Sequence, residues 1–223
     1  MPKNAIFNLP DDLMKNTGGC CAKGSKIEMS DGLYKKVEDL KKGDKVLTVD
    51  TTVEPFKYIL SEIECVIITK CNNNKEKMVQ LEGLRNNILN ITPYHPVMFD
   101  NYGLNVWQFP NKLNVPTIVD CEEMYTFVIT NRKPVIVEDY FFATYGHNIK
   151  YSELEKECFN NVIEHDFFGT DKVITNLKEF PTYKKGYLHL TKNMFKRNEI
   201  GEIFRICNYN IDHSSCFNLC ANL

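Results

Sequence analysis

From Ser25 to about Thr144 the chain is a series of short runs rich in β-branched and aromatic residues: KIEM at 26–29, KVLTV at 45–49, YILSEIECVIITK at 58–70, VQLEG at 79–83, NILNIT at 87–92, EMYTFVIT at 123–130 and PVIVEDYFF at 134–142. Side chains of this kind fit a pleated surface and lose χ1 freedom in helices. Turn-forming residues separate the runs, including Ser30-Asp31-Gly32, Lys41 to Asp44 and Asn72 to Asn74. Runs this short, closed off this often, predict a compact all-β module built of hairpins.

The texture differs at both ends. Residues 1 to 17 are polar and weakly periodic and lead into Gly18-Gly19-Cys20-Cys21, so they read as a leader with no core of their own. Past Gly146, Ser152 and Glu155 have capping-box spacing for a short helix, and mixed segments follow to the end. The expected division is a leader over 1–19, a β-module over 20–149 and a mixed α/β C-terminal extension over 150–223 packed on that module.

With 27 Lys and Arg against 29 Asp and Glu, the chain offers no broad attraction for a nucleic-acid backbone or an anionic membrane. It has no apolar run of membrane-spanning length and no signal-peptide core, so a soluble, intracellular protein without nucleic-acid or membrane partners is the expectation. Nine cysteines, an odd number without dense regular spacing, suggest mostly reduced thiols. Cys207, His213, Cys216 and Cys220 are ligand types whose spacing fits no standard zinc template, and neither a metal nor another cofactor is expected. The terminal Cys-Ala-Asn-Leu is a poor prenylation box because Asn222 is unfavourable there.

Three separated blocks carry chemistry. The first runs from Gly19-Cys20-Cys21-Ala22-Lys23-Gly24-Ser25-Lys26-Ile27 through Asp31-Gly32 and Gly43-Asp44 to Val46-Leu47. The second is Thr92-Pro93-Tyr94-His95-Pro96-Val97. The third joins Tyr125-Thr126-Phe127-Val128-Ile129 to Phe142-Ala143-Thr144-Tyr145-Gly146-His147-Asn148. Cysteine is the best side-chain nucleophile near neutral pH, and glycine on its acyl side removes steric bulk from the carbonyl. A threonine and a histidine three residues apart on a proline-stiffened loop can polarise a peptide and move a proton.

Together the blocks resemble the Hint (hedgehog/intein) superfamily, and within it the Vint subgroup. Met29-Ser30-Asp31-Gly32, Leu40 to Leu47, Thr92 to Val97, Trp107 to Pro110, Cys121 ahead of MYTFVIT, and His165 to Thr170 carry the closer likeness. The resemblance implies a Hint-type β-fold whose substrate is its own N-terminal segment. Cys20 would attack the Gly19 carbonyl to give a thioester, Thr92 would polarise the peptide, and His95 would protonate the Cys20 nitrogen.

Several departures bear on the fate of such a thioester. Asn148 is followed by Ile149, not by a nucleophile, so full splicing is not expected. Cyclisation of Asn148 assisted by His147, and an ordinary turn at these two residues, both remain open. Ile68 stands where hedgehog-type domains carry the acid used for sterol transfer. Hydrolysis, or capture by a small external nucleophile or a protein acceptor, is the simplest outcome, with Cys121 as a possible internal acceptor. Cys21 reads as core filling, although it competes with Cys20 for the nucleophile's role. The alternatives are a non-cleaving Hint scaffold that binds other proteins and a cysteine hydrolase acting in trans.

Overall fold

The computed structural model describes residues 19–99, 106–150, 162–199 and 201–208. The leader up to Gly18, the Ser152 capping-box helix, and His213, Cys216 and Cys220 lie outside the described residues.

The strands, in chain order, are β1 (Cys21–Ala22), β2 (Lys26–Glu28), β3 (Tyr34–Lys36), β4 (Lys45–Asp50), β5 (Lys57–Lys70), β6 (Lys75–Glu82), β7 (Ile88–Ile91), β8 (Val97–Phe99), β9 (Thr117–Asp120), β10 (Glu123–Ile129), β11 (Val135–Val137), β12 (Tyr140–Phe142), β13 (Tyr187–Leu190), β14 (Phe195–Arg197) and β15 (Ile203–Ile206). Among the described residues there is one short α-helix, α1 (Asp171–Leu177), capped by the Thr170 side chain, which accepts from the Lys172 amide. Every apolar run named above forms strand, and the predominantly β architecture with a mixed C-terminal part matches the expectation.

Thirteen strands join one sheet in the order β3-β2-β11-β4-β5-β10-β1-β7-β6-β9, with β12 beside β11, β8 beside β12 and β13 beside β5. The long β5 organises it. Its first half pairs antiparallel with β4 and its second half with β10, and a bulge opposite Val128 and Ile129 separates the two registers. The run Cys65-Val66-Ile67-Ile68 lacks polar alternation because β5 is covered on both faces. Ile63 and Val66 belong to the central core with Ile27, Phe127 and Phe142, whereas Cys65 and Ile67 belong to a second core shared with the C-terminal region.

That second core is where the C-terminal region docks. Val173, Ile174 and Leu177 of α1 pack there with Leu188 and Leu190. The β13 strand adds to β5 in parallel, Leu190 opposite Thr69. Tyr183 donates its hydroxyl hydrogen to Glu64 Oε1 at 2.7 Å, and Arg132 pairs with Glu64 Oε2 at 2.8 Å. Among the described residues no helix is long and apolar enough to cross a membrane.

Candidate active site

The site is assembled by the shortest strand. Cys21 in β1 pairs with Tyr125 of β10 on one side and Ile91 of β7 on the other, which threads the start of the module between two central strands. Cys20 is thereby wholly buried. Thr92 follows β7 directly, so the residue beside Cys20 across the ladder is the threonine of the second block.

The contacts between them are reciprocal. The Cys20 amide donates to Thr92 Oγ1 at 3.0 Å, and the Thr92 amide donates to the Cys20 carbonyl at 2.9 Å. The first of these amides is the nitrogen of the Gly19–Cys20 bond. A tight turn then returns the chain, with the His95 amide donating to the Thr92 carbonyl at 3.2 Å. The His95 ring stacks on Phe142 of β12, ring centroids 3.7 Å apart, and Gly19 packs against its Nδ1 side. A Cβ built on Gly19 would fall among Nδ1, Cγ and Cβ of His95. Glycine is therefore required here by close approach to the imidazole.

Burial sets the resting protonation states. His95 is held down to about 3, chiefly by desolvation and then by the charge of nearby His147, while the Gly19 and Ala143 backbone opposes the shift. Neither ring nitrogen completes a hydrogen bond among the described residues. Desolvation is also the main reason the Cys20 thiol is pushed far up, with the Glu76 and Cys121 charges adding and Thr69 and Lys192 opposing. Both groups are neutral at pH 7.

Cys121 lies close to Cys20. It belongs to one buried cluster with Cys20, Ala22, Cys71, Met78 and Met124, and the Cys71 and Cys121 sulfurs are 3.6 Å apart. Cys71 donates to Cys121 and thereby lowers its thiol from the ordinary value. Cys21 points instead into the central core, its Sγ 3.5 Å from the Tyr125 carbonyl.

His147 and Asn148 form a separate arrangement under the C-terminal region. His147 is buried and lowered to about 4, mainly by desolvation. Its Nδ1 accepts from the Ile149 amide at 3.0 Å, which is the nitrogen an Asn148 cyclisation would release. Asn148 itself is exposed, has a left-handed φ of 55°, and donates its amide to the Gly169 carbonyl at 2.8 Å. His165 caps the next turn, its Nδ1 accepting from Phe167 and Phe168.

Sequence reading missed Thr69, Cys71, Glu76 and Lys192 as groups around Cys20. Glu76 left a trace, since Lys75-Glu76-Lys77-Met78 alternates and puts an acid in phase with a buried methionine. Lys192 left none. Among the described residues no group of three or more His, Cys, Asp or Glu is placed to hold a metal.

The profile of the Vint family, described as a Hint domain, matches residues 19–205. No curated protein sequence matches. Among solved structures, a DnaB intein from Synechocystis sp. PCC 6803 is 14% identical with a TM-score of 0.45, covering 57% of this chain and 99% of the intein. A bacterial intein-like domain from Clostridium thermocellum is 15% identical with a TM-score of 0.43, covering 55% of this chain and 95% of that domain. The family match begins at the glycine packed on His95 and runs through the C-terminal strands, and the chain belongs to the Vint family of Hint domains.

Proposed function

We propose that this chain is an autocatalytic self-processing domain that cuts between Gly19 and Cys20. The observation that carries the reading is the grip on one peptide, with Thr92 holding its nitrogen and the His95 ring lying against its glycine. The Cys20 sulfur adds to the Gly19 carbonyl carbon, the C–N bond breaks, and an S–C bond replaces it. The thiol proton ends on the freed Cys20 nitrogen, with His95 as the group positioned to pass it, so the shift needs no co-reactant. Because attacking and attacked groups are neighbours in one chain, proximity supplies much of the acceleration. Water, an external thiol or an amine then takes the acyl group, releasing residues 1 to 19.

Complete burial of Cys20 disfavours the trans-acting hydrolase, which needs its sulfur open to an external peptide. The same burial, with a neutral thiol and a neutral His95, favours the second reading of a non-cleaving scaffold. Intact mass of freshly purified protein, with and without dithiothreitol and beside Cys20→Ala, separates the two. Thiol-dependent loss of residues 1 to 19 that Cys20→Ala abolishes is the expected result. A wild-type chain that stays full length through prolonged thiol treatment leaves the scaffold reading standing. Hydrogen bonding of His147 to the Ile149 amide supports a second cut after Asn148, which the same spectra would register as loss of the C-terminal region.

A further inference from the structure

Glu76 shares the inward side of β6 with Met78, a member of the cluster that encloses Cys20, and is only 8% exposed. Its Oε2 lies 2.6 Å from Lys192 Nζ. Lys192 opens the turn directly after β13 and Thr191. The parallel pairing that lays Leu190 beside Thr69 therefore also carries an ammonium to the nucleophile's pocket. The other titratable groups around the thiol are Cys71 and Cys121 in the same cluster, Cys21 next in the chain, and the phenol of Tyr145.

We infer that Lys192 is a positioning residue for autocleavage: it offsets the Glu76 carboxylate beside Cys20, so that the region beyond residue 162 arms the nucleophile. The inference rests on the self-processing reading. Ionising the thiol creates a negative charge in an apolar pocket that already holds a carboxylate. Without a cation the two repel at low dielectric and the proton stays on sulfur. Paired with Lys192, Glu76 presents a near-neutral neighbour and the thiolate becomes reachable. The two charges act on the thiol in these opposite directions, Glu76 raising it and Lys192 lowering it.

The test is a charge-compensation cycle on the full chain. Dithiothreitol-induced cleavage is followed by intact mass from pH 7 to pH 10 for wild type, Lys192→Met, Lys192→Arg and Glu76→Gln/Lys192→Met. Lys192→Met should be slowed about tenfold at a fixed pH with its profile moved alkaline by about one unit. Lys192→Arg should hold the wild-type profile, and the double variant should return toward it. A Lys192→Met profile unmoved from wild type overturns the inference. A double variant as slow as Lys192→Met does so too, because that is what a mere anchor for the C-terminal region would give. If the wild type does not cleave, the self-processing reading fails and the inference, which rests on it, falls with it.

Discussion

Replacing Gly19 by alanine adds one carbon where the His95 ring already stands. The new Cβ would overlap Nδ1, Cγ and Cβ, the root of the ring and not a flexible tip, so rotation about χ2 cannot clear it. Phe142, stacked on the ring with centroids 3.7 Å apart, restricts how far it can move. Ordinary carbon contacts need about 3.5 to 4 Å, so either the ring or the Gly19 backbone must shift by more than about an ångström. Overpacking of this kind costs about 1–3 kcal/mol of stability. A displacement on the order of 1 Å at reacting groups costs about a hundredfold in rate. Gly19→Ala should therefore cleave about a hundredfold more slowly than wild type in dithiothreitol by intact mass, with a lowered Tm. In a His95→Gly background, which removes the ring and its Cβ together, the same substitution should no longer lower the Tm, because every obstructing atom is gone. Cleavage within threefold of wild type, or a Tm loss that persists without the His95 side chain, would refute the packing of Gly19 on His95.

Three further outcomes follow from the same geometry. Thr92→Val keeps the shape but removes the acceptor of the Cys20 amide, so it should cost about 1–3 kcal/mol in urea unfolding and slow cleavage, while Thr92→Ser should retain both; equal behaviour of the two variants would remove the hydroxyl from the account. His95 and His147, at about 3 and about 4 when folded against an ordinary 6.5, take up protons more readily unfolded, so stability should fall as pH drops below about 6.5. The fall in Tm between pH 7 and pH 5 should shrink in His147→Gln, and an unchanged fall would contradict the assignment. Cys21→Ala leaves a small void in the central core, costing about 1 kcal/mol, yet should still release residues 1 to 19, whereas loss of cleavage there and not in Cys20→Ala would move the nucleophile one residue on.

Much of the β-module could be read from sequence because its information is local. Alternation and β-branched content marked β4, β5, β6, β7 and β10, and the turns at Asp31-Gly32 and Gly43-Asp44 fell where Gly32 and Gly43 adopt positive φ. Two-residue β1 and three-residue β3 and β8 are too short to carry a period, and β13 forms because its pairing to β5 and the second core favour it.

The site divides in the same way. Residue types and short spacings announced Cys20 behind a glycine and Thr92 three residues before His95, since a nucleophile, a small acyl residue and a polar pair on a stiff turn are chemical requirements visible along the chain. What they touch depended on distant chain. The Cys20 amide meets Thr92 across 72 residues, the Cys71 and Cys121 sulfurs meet across 50, and Lys192 reaches Glu76 only through the parallel docking of β13. Burial of the thiol and of the imidazole, and so their neutral resting states, likewise exists only once β1 is threaded between β7 and β10 and Phe142 closes on His95. Sequence determined which reactive side chains this protein carries and in what order, because reactivity belongs to side-chain type and local order. Tertiary structure decided which groups meet and how they are charged, because desolvation and proximity arise only from packing remote segments together.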